Sequence, residues 1–299
     1  MTAPLDATAG VPDVSTEFDQ FDLAFEDTSL HCFEAGSGRP VILLHGSGAG
    51  CATLSNFRRV MVPLASNHRV IAADLVGFGR SGLRKHTPYF DMEMWVRQLR
   101  FLLDRVGDGA ICVGHSLSGA IVLKAAVVDP RIAAVVTTGT NGWIPESSSA
   151  PNWRFPESRD QVRAAVERTF YDPRLAEEEE VDRRMEVLRR PGYRAYFEEM
   201  FSSPSSRYLA ESELTPEELG RIACPVSLLH GLADRSFAPE DTSIPISRHL
   251  SFADLHIFAA CAHSVAHERA SDFLAILSAL DERLGLGRDS EEGRPDSEL

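Results

Sequence analysis

The sequence has few basic residues and no long apolar run. Among 299 residues, 30 Lys and Arg stand against 44 Asp and Glu, which gives a net charge of −14. A protein that binds nucleic acid would show a basic stripe, and none is present. No apolar run reaches the length of a transmembrane helix. We therefore expect neither nucleic acid nor a membrane as a partner, and the acidic runs at 177–180 and 289–299 are typical of solvated faces.

Paired cysteines are also lacking. The sequence has five cysteines, an odd number, and no pair has C-x-x-C spacing. This pattern favours free thiols in a reducing compartment over a disulfide framework. The N-terminal segment has no basic start or apolar core and so does not indicate a signal peptide. We expect a cytoplasmic protein, and its hydrophobic fraction of 43% is ordinary for a chain that buries a core. The five cysteines are Cys32, Cys51, Cys112, Cys224 and Cys261.

The most informative stretch is residues 111–123. A short apolar run predicts a buried strand, a helical pattern follows, and Ser116 lies between them, two residues after Gly114. This is the layout of a nucleophile elbow, in which a strained turn exposes a serine at the start of a helix. The usual G-x-S-x-G pattern has glycine at the fifth position, where this chain has Ser118 followed by Gly119. Serine is small enough for that place; the alternative is an ordinary Gly-Ser turn.

Strands alternate with helices on both sides of this stretch. Apolar runs at 41–44, 69–73 and 132–137 predict strands, and residues 56–64 and 92–106 have helical spacing. Such alternation implies right-handed crossovers and a mostly parallel sheet covered on both faces.

The alternation stops after residue 143 and resumes after residue 220. The stretch between has no strong strand pattern but has amphipathic segments, and it is far longer than an ordinary loop. We interpret it as an inserted helical lid. The predicted organisation is a mobile lead-in at 1–18, a core at 19–143 and 221–284, the lid at 144–220 and a disordered acidic tail at 285–299.

A glycine-rich loop, residues 45–50, follows the first buried strand. Glycines there let backbone amides approach a ligand closely. In a serine hydrolase this loop supplies one oxyanion amide, and the residue after the nucleophile, here Leu117, supplies the other. The alternative is a plain strand-to-helix loop.

A serine nucleophile needs a base. In proteins with a nucleophile elbow the chain order is nucleophile, then acid, then base. His263 lies in a loop of small residues straight after the last predicted strand, so we predict it as the base. His230, His249 and His256 lie in or beside strand runs and are weaker candidates. His263 and His267 have the i, i+4 spacing of a metal site, but no third ligand is evident.

The predicted acid is Asp234, which lies just past the strand that ends near residue 229. The rival position, after the strand that ends near residue 138, reads Gly-Thr-Asn-Gly and offers no carboxylate. Asp234 could instead be a turn-forming residue. The three candidates, in the expected order and each at the end of a strand, predict a Ser116–Asp234–His263 triad.

Over about residues 20–284 the chain resembles the α/β-hydrolase family, and within it the meta-cleavage product hydrolases such as 2-hydroxymuconic semialdehyde hydrolase. The motifs lie at 45–56, 74–79 and, in the lid, 189–193. The resemblance implies the α/β-hydrolase fold, an α/β architecture with a mostly parallel eight-stranded sheet flanked by helices and an inserted helical lid.

The resemblance also implies a reaction on a small molecule. A vinylogous 1,5-diketone, made by ring cleavage of an aromatic, would be hydrolysed at a carbon–carbon bond by Ser116 or by a water that the triad activates. No metal or organic cofactor would be needed. Ser47 and Leu117 would supply the oxyanion amides, and Asn56 and Arg184 would bind the carboxylate and enol end. Arg184 could instead be a surface cation that pairs with the acidic run.

Two further substrate-binding positions depart from the family pattern. The residue before the nucleophile is usually Asn and here is His115, and the residue after the base is usually Trp and here is Ser264. Both positions shape the dienol end of the pocket. A carboxylester or lactone hydrolase with the same triad therefore stays open, as does a homo-oligomer. A hydrolase-like binding protein would need a broken triad, and a haloalkane dehalogenase would need Asp in place of Ser116.

Overall fold

The computed structural model describes residues 13–144 and 153–292, and of residues 286–292 only the backbone. Its centre is an eight-stranded sheet in the order β1-β2-β4-β3-β5-β6-β7-β8. β1–β2 and β2–β4 pair antiparallel, and every other pair is parallel. The strands are β1 Asp19–Phe25, β2 Thr28–Ala35, β3 Pro40–Leu44, β4 Arg69–Ala73, β5 Ala110–His115, β6 Ile132–Thr138, β7 Val226–Gly231 and β8 Ala253–Phe258.

Helices cover both faces of this sheet. In β3, Ile42 and Leu44 join one apolar cluster and Val41 and Leu43 join the other, because successive side chains of a strand point to opposite faces. All four are fully buried, and each such side chain contributes about 1.5–3 kcal/mol. The two-sided burial explains why these strands read as continuous apolar runs.

The helices begin and end where the sequence supplies caps. Asp91 caps α3 by accepting a hydrogen bond from the Met94 amide at 2.9 Å, and Gly107, with φ 81°, ends it. The helices are α1 Val14–Glu17, α2 Thr53–Ala65, α3 Met92–Val106, α4 Leu117–Val128, α5 Arg159–Glu167, α6 Glu178–Leu188, α7 Tyr193–Met200, α8 Ser205–Ser212, α9 Pro216–Gly220, α10 Ser243–Ser247, α11 Val265–Glu268 and α12 Ala270–Glu292.

The described part of the predicted lid, residues 153–220, lies between β6 and β7 and carries α5 to α9; we call it the lid segment. Aromatic side chains hold it together, and Phe201 contacts Trp153, Phe197 and Tyr208 at ring-centroid distances of 4.8–5.3 Å. α4, which is apolar apart from Ser118 and Lys124, is largely buried, and α8 and α9 of this segment pack against it.

The ends of the chain differ from the sequence-based expectation. Residues 14–17, expected in a mobile lead-in, form α1, with Val14 and Phe18 buried in the second cluster. α12 continues to Glu292, past residue 285 where a disordered tail was expected. The rest of the expected lead-in and tail, residues 1–12 and 293–299, lies outside the described residues.

Within the described residues, no helix combines the length and the apolar character that a membrane span requires. All five cysteines lie in described parts of the chain and none of them forms a disulfide.

The sheet brings the predicted site residues to one edge. The strands from β3 to β8 are parallel to one another, so their carboxyl ends meet there. The glycine-rich loop follows β3, Ser116 follows β5, Asp234 lies just past β7 and His263 lies after β8.

Candidate active site

Ser116 occupies a strained turn between β5 and α4. Its φ of 55° and ψ of −117° lie in a region that non-glycine residues rarely adopt. A Cβ on Gly114 would lie 2.1 Å from the Ser118 carbonyl oxygen, and one on Gly119 would lie 1.9 Å from Thr140 Oγ1. Strand and helix therefore come close only with glycine at 114 and 119.

Ser118, the departure from the usual elbow pattern, has a contact of its own. Its hydroxyl donates a hydrogen bond to the His45 carbonyl at 2.5 Å, which joins the elbow helix to the glycine-rich loop. The His45 ring fixes the same loop, because Nδ1 donates to the Gly46 carbonyl at 2.6 Å and Nε2 accepts from the Leu75 amide at 2.9 Å. Burial lowers the pKa of His45, which favours this neutral tautomer.

Asp234 and His263 form a short hydrogen bond. His263 Nδ1 lies 2.7 Å from Asp234 Oδ2, and Oδ1 accepts from the amides of Ser236 and Phe237 at 2.7 and 3.1 Å. Burial alone would raise the pKa of Asp234, but His263 and the hydrogen bonds outweigh it and hold that pKa well below the usual value. Asp234 is therefore an anion that orients the imidazole of His263.

A second imidazole shares this carboxylate. His230 Nε2 lies 3.1 Å from Asp234 Oδ2 and 2.8 Å from the Phe237 carbonyl oxygen. Both of these groups only accept, so Nε2 carries a proton. Nδ1 lies 2.6 Å from the Ser243 hydroxyl, which orients the ring. The sequence analysis ranked His230 as a weaker candidate base and did not predict its contact with Asp234. The i, i+4 spacing of the two residues is the sequence feature that could have indicated this contact.

The glycine-rich loop is held from two sides. Asn56, predicted to bind substrate, accepts the Gly46 N–H on its Oδ1 at 3.0 Å and also lines the cavity. The Trp153 indole N–H donates to the Ser47 hydroxyl at 2.9 Å. Leu117, the other predicted oxyanion residue, is the first residue of α4, where backbone amides lack partners within the helix.

His115, the residue before the serine, is buried and neutral. Its Nδ1 donates to the Thr138 carbonyl at 3.0 Å, which leaves Nε2 as an acceptor beside Gly46. The pKa of His115 lies well below that of a free imidazole, first because of burial and then because of the nearby charge of His263. The two rings are 4.6 Å apart, and both residues line the cavity.

Arg184 lies in the same cavity as Ser116. The cavity has a volume of about 560 Å³. Arg184 Nε donates to Glu180 Oε1 at 2.8 Å, and both side chains are buried. Burial alone would lower the pKa of Arg184, but Cys51 and Glu180 raise it, so the guanidinium stays charged. Arg184 is therefore not a surface cation, although it does pair with the acidic run through Glu180, as the alternative expected.

Ser264, predicted to bind substrate, does not line the cavity among the described residues. Its backbone N–H instead donates to the Thr169 carbonyl of the lid segment at 3.0 Å. The sequence placed Ser264 beside the base, but this residue is the N-cap of α11 and is buried against the lid segment.

His267, the other half of the candidate metal pair, contacts the main chain of α2. Its Nδ1 lies 3.4 Å from the Asn56 carbonyl oxygen. Among the residues that the structure describes, no three His, Cys, Asp or Glu side chains are grouped to hold a metal ion. Burial, and next the charges of Arg58 and Arg59, lower the pKa of His267 well below its usual value.

The chain is similar in sequence to known hydrolases. The profile of the alpha/beta hydrolase family matches residues 41–276. The 2-hydroxy-6-oxo-2,4-heptadienoate hydrolase of Pseudomonas putida is 32% identical over 256 residues, which cover 84% of this chain and 91% of that protein. The 2-hydroxymuconate semialdehyde hydrolase of Pseudomonas sp. strain CF600 is 30% identical, with coverage of 84% and 88%.

Solved structures have the same architecture. A meta-cleavage product hydrolase from Pseudomonas fluorescens IP01 superposes with a TM-score of 0.80 at 25% identity, covering 86% of this chain and 95% of that one. The 2-hydroxy-6-oxo-6-phenylhexa-2,4-dienoate hydrolase from Rhodococcus sp. strain RHA1 gives 0.77 at 28% identity, with coverage of 89% and 99%.

Proposed function

Because the chain belongs to the alpha/beta hydrolase family, and within it to the meta-cleavage product hydrolases, we propose that it cleaves a carbon–carbon bond in a dienoate made by ring cleavage of an aromatic compound. The protein is a hydrolase that acts on a small molecule. The observation that carries the proposed bond type is the buried, charged Arg184 in the cavity of Ser116. An arginine fork binds a carboxylate by two hydrogen bonds, and a dienoate brings that carboxylate into the cavity.

The substrate is held at its carboxylate end. The Nε of Arg184 is occupied by Glu180, so its terminal nitrogens are the groups that meet the substrate carboxylate. Asn56 accepts from Gly46 on its oxygen, which leaves its NH₂ group to donate to the substrate. His115 presents a neutral Nε2 acceptor in the same cavity, where it takes a hydrogen bond from the hydroxyl on C2 of the substrate.

The dienol is first converted to its keto form, which places a proton on C5. Ser116 Oγ, or a water in its place, then loses a proton to His263 and attacks the C6 carbonyl. The N–H groups of Ser47 and Leu117 donate to the oxyanion. The C5–C6 bond breaks, its electron pair leaves in the dienolate, and C6 becomes a carboxylic acid once water has added.

Asp234 stays ionised throughout. Its lowered pKa keeps a negative charge beside the imidazolium that forms when His263 takes the proton. The carboxylate also fixes the tautomer, because Nδ1 donates to it and Nε2 is left unprotonated to accept a proton from Ser116, which lines the same cavity. We assign the catalytic role to Ser116, His263 and Asp234 on these grounds.

The test is a paired assay with 2-hydroxy-6-oxohepta-2,4-dienoate and p-nitrophenyl acetate. We expect rapid loss of the yellow dienolate, and Arg184→Gln to lower kcat/KM for the dienoate about a hundredfold and for the ester less than about threefold, since only the dienoate carries a carboxylate. Arg189→Gln, at the end of the same helix and exposed, is the matched control and should change neither.

The alternative, a carboxylester or lactone hydrolase, makes a different prediction. It requires ester turnover without dienolate loss or, if both compounds are turned over, equal effects of Arg184→Gln on the two. That outcome would overturn the carbon–carbon assignment and leave the triad assignment intact.

A further inference from the structure

The charged side chains of the cavity wall are of one sign, positive. Besides Arg184, the guanidinium-bearing residues Arg154, Arg168 and Arg235 line it, and among the described residues no Asp or Glu does. The whole chain has a net charge of −14, so a wall with four arginines and no carboxylate stands apart from the rest of the molecule.

Among the residues that the structure describes, these three arginines differ from their neighbours in having no ion-pair partner. Arg159 and Arg163, on α5, form ion pairs with Glu178 of α6. Arg168 follows α5 directly, yet within the described chain it has no ion pair and no side-chain hydrogen bond. The same is true of Arg154 and Arg235, and all three are exposed at the cavity.

Arg184 lies on the glycine-loop side of the serine. Its Nη1 would be 3.6 Å from a Cβ on Gly48, and its main chain packs against Gly50. A Cβ on Gly46 would lie 3.1 Å from the Cβ of Ser116, so the loop leads from Arg184 to the nucleophile.

The main chain of Arg168 and Arg235 lies on the imidazole side of the cavity, which both residues line. Arg235 directly follows Asp234, which holds His263. Arg168 precedes Thr169, whose carbonyl accepts the N–H of Ser264, the residue after the base. A substrate with its carboxylate at Arg184 and its carbonyl at Ser116 therefore extends its acyl substituent toward Arg168 and Arg235.

We propose that this acyl substituent ends in a second acidic group, so that the substrate is a dianionic dienoate whose distal carboxylate is bound by Arg168 and Arg235, with Arg154 beside them. This rests on the proposed function and deepens it. Trp153, Phe155 and Phe237 line the same cavity and supply apolar surface for the carbons between the carbonyl and the distal carboxylate. A carboxylate at the end of the substituent can accept hydrogen bonds from these guanidinium groups, and a neutral alkyl substituent cannot.

The experiment compares 2-hydroxy-6-oxonona-2,4-dienedioate with 2-hydroxy-6-oxonona-2,4-dienoate, which has a methyl group in place of the distal carboxylate. We expect the wild-type kcat/KM to be at least about tenfold higher for the dioate, since a site built to bind a charged group discriminates against an analogue that lacks it. In the double variant Arg168→Gln, Arg235→Gln that ratio should fall to about one. Arg189→Gln, an exposed arginine outside the cavity lining, should keep the wild-type ratio.

Three other outcomes would overturn the proposal or the function on which it rests. If the double variant loses the same factor on both substrates and the loss disappears at high salt, the arginines only steer anions toward the cavity, and the proposal is overturned. A wild-type ratio near one also overturns it while the proposed function stands. If neither dienoate is consumed but esters are, the proposed function itself fails.

Discussion

The indole N–H of Trp153 donates a hydrogen bond to the hydroxyl of Ser47, with 2.9 Å between the two heavy atoms. The same indole stacks on Phe201, with ring centroids 5.1 Å apart and planes at 7°. Trp153 belongs to the lid segment, and Ser47 lies in the loop that carries one of the proposed oxyanion amides. The contact therefore joins the lid segment to the loop.

We predict that this bond helps to position the oxyanion amide. Trp153→Phe, which keeps a stacked ring and removes the N–H, and Ser47→Ala, which removes the acceptor, should each lower kcat about threefold to tenfold with little change in KM. The double variant should be no worse than the more affected single variant, with a coupling energy of about 0.5–1.5 kcal/mol. Strictly additive effects in this cycle would show that the two side chains act separately.

A second prediction concerns His230 as a positioning residue. His230→Phe removes a donor from the Asp234 carboxylate and should lower kcat about tenfold, because a lost hydrogen bond to a charged group is worth about 1.5–3 kcal/mol. His230→Gln can still donate from its amide and should restore most of kcat. The variants are compared by kcat and KM and by the acid limb of the pH–rate profile. If the Phe and Gln variants have the same kcat and the same pH–rate profile, His230 contributes packing only.

A third prediction concerns stability at acid pH. His115 and His267 are buried imidazoles with pKa values well below 6.5 in the folded chain. Below about pH 6.5 the unfolded chain binds protons that the folded chain does not. The two neutral imidazoles therefore contribute fully to the free energy of unfolding above pH 6.5. This contribution is lost as pH falls toward their folded pKa values, by up to about 1.4 kcal/mol per pH unit for each group.

Thermal melts between pH 7.5 and 5 check this prediction. His267→Gln should have a lower Tm at pH 7.5 but a shallower decline toward pH 5 than the wild type, since one buried imidazole no longer has to stay neutral. His86→Gln, at an exposed position, is the control and should keep the wild-type slope. A wild-type slope in His267→Gln would mean that other groups govern the acid loss.

Much of the fold followed from local patterns. The apolar run at 69–73 predicted β4 with its observed bounds, because a strand buried on both faces has a continuous apolar sequence. The helical spacing at 92–106 predicted α3, because an amphipathic helix has periodic apolar residues. The mostly parallel eight-stranded sheet is confirmed. Short elements such as α1, α10 and α11 were missed, since one turn of helix carries no periodicity of its own.

The candidate site was predictable where it depends on strand ends. The parallel sheet brings Asp234 and His263 together, and their spacing in the sequence is irrelevant once β7 and β8 are neighbours. Side chains whose direction depends on the lid segment were not predictable. Ser264 turns out of the cavity and Arg168 turns into it, and neither fact is visible in the sequence around them. The catalytic roles themselves stay predictions.

The measurement that tests the central claim most directly is the product balance on a single dienoate. 2-Hydroxy-6-oxohepta-2,4-dienoate is incubated in H₂¹⁸O with the wild type and with Ser116→Ala, and the products are quantified by chromatography and mass spectrometry. We predict acetate and 2-hydroxypenta-2,4-dienoate in equal amounts, with one ¹⁸O from solvent in the acetate, and a rate at least about a thousandfold lower in Ser116→Ala. Loss of dienolate colour without these two products, or an undiminished rate in Ser116→Ala, would contradict the account.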